Sequence, residues 1–311
     1  MGKQVVIAAR TFGRVDTKGS DMLKEAGLSL AYLPGKEAAG VELAALMQSK
    51  DTVAVIAGGE PITGEMIRNS PNLRVIAMHG AGLNHIDQQA AGERGILVRG
   101  VPGGNADAVA DLTFGLMLTA ARHIAEADAA IRRKEWGAYM GVAVSGKTIG
   151  IVGFGAIGQA VARRASGFGM KILAYDVIHN DEAAQKLEAE YVPLEALLSQ
   201  ADFITLHVPL IDSTKHLIND GALRLMKKTA ILVNIARGGV VDEEALCAAL
   251  RDGIIAGAAV DTFSKEPLPQ EHCFRSAPNL LLTPHIGGRT VETIAAIGVE
   301  AARIVLEGLK R

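Results

Sequence analysis

A chain of 311 residues with 49% apolar side chains can bury a large core, and its length fits about two domains of roughly 150 residues each. Its 32 basic and 34 acidic side chains leave a formal charge of -2, which excludes a global field that would draw nucleic acid or an anionic membrane. No stretch approaches the roughly twenty apolar residues that a bilayer span needs, so the sequence reads as soluble, with no membrane partner.

From the start of the chain, the apolar run at 5–9 is too short for a secretion signal and reads as a first buried strand. The myristoylation pattern wants Ser or Thr where this chain has Val6, so no lipid anchor is expected. Short β-branched runs then recur at 53–57, 75–78, 148–152, 171–175, 203–208, 230–234 and 255–260. Amphipathic stretches separate them, with helices predicted at 16–26, 37–50 and 242–252. In the last of these, Asp242 suits the N-cap, Glu243 and Glu244 suit the positive end, and Gly253 suits the stop. This alternation predicts a parallel α/β architecture. A long helix over 106–133 divides one α/β block from a second that opens at Lys147, and a final helix over 292–308 follows the last apolar run. The two cysteines, Cys247 and Cys273, lie far apart without CxxC spacing. That spacing predicts neither a disulfide framework nor a zinc site, and favours a reducing, cytoplasmic setting. No group of His, Cys, Asp and Glu has metal-ligand spacing.

Gly153-Phe154-Gly155-Ala156-Ile157-Gly158 follows the run at 148–152 and opens a helical stretch, the context a dinucleotide fingerprint requires. Gly153 permits the tight turn, Gly155 clears room for a pyrophosphate, and Gly158 lets the helix approach the strand. The N–H groups around Ala156 and Ile157 then face the phosphates at a helix N-terminus. Asp176 ends the next apolar run, about twenty residues on, where a carboxylate accepts from ribose hydroxyls. Its charge repels a 2′-phosphate, and Val177-Ile178 supplies no arginine to receive one, so the cofactor expected is NAD. Three later segments also follow apolar runs: Asn234-Ile235-Ala236-Arg237-Gly238-Gly239, Asp261-Thr262-Phe263-Ser264-Lys265-Glu266-Pro267, and Thr283-Pro284-His285-Ile286-Gly287-Gly288. All would sit at the carboxyl edge of a parallel sheet, where such sheets bind ligands.

With these segments, Gly80-Ala81-Gly82-Leu83-Asn84-His85-Ile86-Asp87 and His207-Val208-Pro209-Leu210, the whole chain resembles the D-2-hydroxyacid dehydrogenase family. Among its branches it looks most like the D-3-phosphoglycerate dehydrogenases and hydroxypyruvate reductases. The resemblance implies two doubly wound parallel-sheet domains. A Rossmann-type NAD domain would span 101–285, and a flavodoxin-like substrate domain would span 1–100 plus 286–311. It implies that Arg237 pairs with a substrate carboxylate and that His285 is the acid in reduction and the base in oxidation. Glu266 would orient that imidazole and favour its charged form. Gly80, Ala81 and Gly82 would present N–H groups to the substrate. Val208, Ile235, Ala236, Asp261, Gly287 and Gly288 would border the nicotinamide end of the cofactor. The function implied is hydride transfer between NAD(H) and a small D-2-hydroxy acid or its keto acid, in a cytoplasmic homodimer.

Two departures bear on the substrate. Phosphoglycerate enzymes place a basic residue after the second strand, where this chain reads Ala57-Gly58-Gly59-Glu60-Pro61; Arg10 and Arg14 in the first loop are the candidates to replace it. With the sequence ending at Arg311, no serine-binding regulatory domain of the kind many phosphoglycerate dehydrogenases carry is expected. Trp136, in the connection where relatives dimerise, suits either an interface anchor or a core position. Histidines 79 and 85 are further candidates at the substrate side, whereas His207 reads as a buried strand end. Two alternatives stand beside the main reading: an NAD-sensing corepressor built on the same fold, and a dehydrogenase of formate or phosphite. Glu266 argues against formate, since formate enzymes of the superfamily carry Gln there.

Overall fold

The computed structural model describes residues 2–33 and 39–310, in two compact units: Met1–Asn105 with Gly288–Arg311, and Ala106–Gly287. The first unit carries strands β1 (Gln4–Ile7), β2 (Ser29–Tyr32), β3 (Thr52–Ala57), β4 (Val75–Met78) and β5 (Leu97–Arg99). Its helices are α1 (Lys18–Glu25), α2 (Ala39–Gln48), α3 (Gly64–Arg68) and α4 (Gln88–Glu93). The predicted start of the second helix, at Glu37, lies outside the described residues. The sheet is parallel throughout, in the order β2-β1-β3-β4-β5, the flavodoxin-like doubly wound order. Every residue of β3 is buried, as expected of a central strand covered on both faces.

The second unit opens with α5 (Ala106–Arg122) and α6 (Ile124–Arg132). The single helix predicted over 106–133 is therefore two. His123 takes a left-handed conformation, φ 52°, which breaks the helical ladder between them. There follow β6 (Thr148–Val152), α7 (Ala156–Gly167), β7 (Lys171–Tyr175), α8 (Asp181–Lys186), β8 (Ala189–Tyr191) and α9 (Leu194–Gln200). Next come β9 (Phe203–Leu206), α10 (Asp220–Leu225), β10 (Ile231–Asn234), α11 (Glu243–Arg251), β11 (Gly257–Val260) and β12 (Leu280–Leu282). The sheet order is β12-β11-β10-β9-β6-β7-β8, all parallel. One face is sealed by residues such as Phe114, Met117 and Val161, the other by Leu197, Leu223 and Leu246. Truncating one of these buried leucines removes its packing and leaves a cavity, at about 2–5 kcal/mol.

α12 (Val291–Lys310) returns to the first unit, lying against α1, β3 and β4. α1 approaches it so closely that a Cβ on Gly19 would stand 2.5 Å from the carbonyl oxygen of Gly298. Among the described residues, no helix is long and apolar enough to cross a membrane.

One expectation is overturned. Cys247 on α11 and Cys273 form a disulfide across 26 residues. Spacing along the sequence is silent on this because the segment after β11 folds back over the start of α11, carrying Cys273 with it. The argument for a reducing setting that rested on two unpaired thiols loses its ground.

Candidate active site

The three residues with acid, base and anion chemistry follow three adjacent strands. Arg237 comes after β10, Glu266 after β11 and His285 after β12, all at the carboxyl edge of the seven-stranded sheet. Buried Asn234 shapes the first turn: its side-chain amide donates to the carbonyl of Arg237 at 3.0 Å and its Oδ1 accepts from the N–H of Ala236 at 3.2 Å. The half-buried Arg237 steadies itself by donating from Nη1 to the carbonyl of Ala236 at 2.7 Å, and among the described residues it makes no ion pair. Its remaining N–H fork suits a carboxylate.

Asp261 is fully buried and organises the third turn. Its Oδ1 accepts from the Thr283 hydroxyl at 2.6 Å and the N–H of Ile286 at 2.9 Å, and its Oδ2 accepts from the N–H of Gly287 at 2.9 Å. Its backbone carbonyl accepts from the N–H of His285 at 2.9 Å. These bonds hold His285 in the left-handed region, φ 52°, a conformation rare for a residue with a Cβ and maintained only by its surroundings. Thus held, His285 brings Nδ1 to 2.8 Å from Oε2 of Glu266. Oε1 of Glu266 accepts from the N–H of Phe263 at 3.0 Å, which fixes the carboxylate from behind. With Nδ1 engaged, Nε2 is the ring atom left to exchange a proton. Both side chains are over a third exposed, so the contact orients more than it stabilises.

The glycine turn lies at the carboxyl end of β6. Gly153 has φ 98°, and a Cβ there would stand 2.7 Å from the carbonyl carbon of His207; only glycine lets this turn pass the segment leading to Val208. A Cβ on Gly158 would meet the carbonyl oxygen of Gly153 at 2.1 Å, whereas one on Gly155 would enter open space at the N-terminus of α7. That opening, beside the N–H groups of Ala156 and Ile157, fits a pyrophosphate. Asp176 accepts from the N–H of Phe154 at 2.6 Å through Oδ2 and from the N–H of Ile178 at 3.1 Å through Oδ1. Beside it Val177 and Ile178 are exposed and apolar, so those two positions offer no cation to a 2′-phosphate.

Ile235 and Ala236 are buried on the Arg237 turn, and Gly287 packs within the same unit, where a Cβ would meet Asp261 and Ile235 at 3.3 Å. Gly288 begins the return to the first unit, near Asn105. In that first unit Gly80, Ala81 and Gly82 follow β4, partly or fully exposed. Arg10, a candidate to meet a phosphate, pairs with Glu60 at 3.1 Å. A partly open hollow of the second unit, about 150 Å³, is at the opposite, amino edge of the strands, lined by His123, Lys228, Thr229 and Gly257 among others. It lies apart from this chemistry.

Two histidines are held neutral by burial. His207, after β9, has its imidazole pKa pushed down to about 3, and His79, edge-on to Phe12 with ring centroids 6.0 Å apart, is lowered as well. Glu243, read from the sequence only as an acidic first-turn residue of its helix, forms a half-buried pair with His272, with Nε2 of His272 at 3.1 Å from Oε2 of Glu243. The Pro-rich stretch before His272 gave no periodic pattern by which to place it.

Residues 114–287 match the model of the D-isomer specific 2-hydroxyacid dehydrogenase, NAD binding domain. The chain is 47% identical over 242 residues to a glyoxylate reductase of Thermococcus litoralis, covering 75% of this chain and 73% of that one. It is 43% identical over 262 residues to a hydroxypyruvate reductase of Thermotoga maritima, covering 83% and 84%. A crystal structure of a Thermus thermophilus protein matches 99% of this chain and 97% of its own, with TM-score 0.89 and 36% identity.

Proposed function

The chain belongs to the D-isomer specific 2-hydroxyacid dehydrogenase family and is an NAD-linked oxidoreductase of 2-hydroxy acids; on that premise we propose that it reduces a small, unphosphorylated 2-keto acid, of the size of glyoxylate or hydroxypyruvate. The observation that carries the chemistry is the 2.8 Å contact between Glu266 and His285 at the sheet edge that also bears Arg237. In this reading, bound NADH supplies the hydride. Arg237 clamps the substrate carboxylate, and His285 delivers a proton from Nε2 to the carbonyl oxygen as it becomes a hydroxyl. Glu266 keeps the ring turned and offsets its positive charge; in the oxidative direction the same nitrogen takes the proton back. The residues at the fingerprint, with Val208, Ile235, Ala236, Asp261, Gly287 and Gly288, would hold the cofactor, and Gly80, Ala81 and Gly82 would offer N–H groups to the substrate. The second unit then serves as the NAD domain and the first as the substrate domain.

The substrate size rests on Glu60. It follows β3, next to β1 in the five-stranded sheet, and takes up the charge of Arg10. A phosphate there would face a carboxylate where phosphoglycerate enzymes offer a cation. The named relatives include glyoxylate and hydroxypyruvate reductases, which support that reading, and also a D-3-phosphoglycerate dehydrogenase at 43% identity, which is why the phosphorylated acid belongs in the test. The test is NADH oxidation with glyoxylate, hydroxypyruvate, 3-phosphohydroxypyruvate and 2-ketoisocaproate. We expect kcat/KM for the phosphorylated acid to fall at least about tenfold below the best of the others, the scale of one mismatched charge. His285→Ala should lower kcat about 100-fold or more, and Arg237→Ala should lower kcat/KM by about 10–100-fold with a raised KM. Wild-type constants in both variants would remove these assignments, and absence of turnover with every acid would favour the NAD-sensing alternative.

A homodimer is part of the proposal. Trp136, Tyr139, Met140 and Val142 are all exposed, Trp136 to 93% and Met140 to 92%. So long an apolar run on one connection is a surface in want of cover. A cytoplasmic setting is proposed from the cofactor, which must be recycled by other oxidoreductases sharing the same pool.

A further inference from the structure

A second carboxylate stands behind the one that faces His285. Glu243, the first residue of α11, has a side chain 11% exposed and aimed away from its own helix. Its Oε1 accepts from the N–H of Ser264 at 2.8 Å, and its Oε2 accepts from Nε2 of His272 at 3.1 Å. Nδ1 of His272 in turn accepts from the N–H of Phe274 at 3.2 Å, and this pattern assigns the ring proton to Nε2, pointing at Glu243. Capping does not explain the residue, because Asp242 already caps α11 through the N–H of Ala245.

Glu243 therefore holds the turn that carries Glu266. Consecutive N–H groups of that turn go to two different carboxylates: Phe263 donates to Glu266 at 3.0 Å and Ser264 to Glu243 at 2.8 Å. The far side of the turn is closed by Gly238, where a Cβ would stand 2.0 Å from the carbonyl carbon of Phe263. The turn is thus gripped between α11 and the loop of Arg237. The peptide that donates to Glu243 joins, at the Cα of Phe263, the peptide whose N–H anchors Glu266, so freeing the first leaves the second held from one side only.

We propose that Glu243, braced by His272, is a positioning residue of the acid–base pair, setting the angle at which Glu266 meets His285. The inference rests on the assignment of that pair given above. Kinetics of Glu243→Ala, Glu266→Gln and the double variant test it, using the keto acid turned over best in the panel. The expected result is a loss of about tenfold in kcat for Glu243→Ala, with NADH affinity unchanged, but under about twofold when Glu266 is already Gln. Glu243→Gln keeps an acceptor for Ser264 and should lose only about threefold, again with nothing further lost in the Glu266→Gln background. Equal losses in the two backgrounds, or wild-type kcat in Glu243→Ala, would overturn the inference. Should Glu243→Ala give no folded protein by its melting transition, the Glu243→Gln pair decides by the same comparison. Wild-type kcat in Glu266→Gln alone would instead overturn the acid–base assignment, and this inference with it.

Discussion

At His207 the chain keeps a titratable ring where a proton is unwelcome. Its Nε2 meets the Thr205 hydroxyl at 3.1 Å, and burial pushes its pKa down to about 3. In the unfolded chain the same imidazole titrates near its ordinary value of about 6.5. Above that value both states are neutral and the residue contributes no pH dependence. As pH falls from about 6.5 toward the folded value, the unfolded state gains the proton and the native state does not, so stability drops by about 1.4 kcal/mol per pH unit. Urea unfolding at pH 7 and pH 5 should therefore show a smaller acid loss in His207→Gln than in wild type. An equal loss in the two proteins would show that the ring takes up its proton without unfolding. Of the single residues, the glycine fingerprint and Asp176 stood out in the sequence because each follows an apolar run that names its strand, whereas the roles proposed for Arg237, Glu266 and His285 came from the family resemblance. Glu243 and His272 did not stand out, since a structural carboxylate inside an ordinary helix start looks like any acidic first turn.

Among the elements, each predicted apolar run overlaps a strand. The strands that the sequence left unannounced are β2, β5 and β8, every one at a sheet edge. Edge strands are short and half-exposed, so they need no β-branched apolar run, and neither Ser29–Tyr32 nor Ala189–Tyr191 contains a β-branched residue. The break at His123 escaped notice for a related reason: the apolar period continues through it while the backbone does not. The Cys247–Cys273 link ties α11 to the segment that delivers His272, closing a loop of 26 residues. Replacing both cysteines with serine should lower stability to urea by about 2–4 kcal/mol. Reductant added to the wild type should reproduce that loss and leave the double variant unchanged; no difference between the oxidised wild type and the variant would show that the link does not hold the fold.

At the scale of the whole molecule, the exposed run around Trp136 predicts self-association. Sedimentation equilibrium at micromolar concentration should give twice the chain mass, and Trp136→Asp should give the monomer. As the only tryptophan in the chain, it should also emit further to the red in that dilute or disrupted state than when covered; a monomeric wild type would remove the proposal. The path of the backbone carries one more consequence. Because α12 completes the core of the unit that begins the chain, a ribosome releases the first unit's residues long before the helix that seals them. The middle unit, by contrast, has all its parts once Gly287 has emerged. Synthesis order and folding order are thereby inverted, and the earliest-made sheet must wait, with the α12-facing side of β3 and β4 uncovered, until α12 has been made.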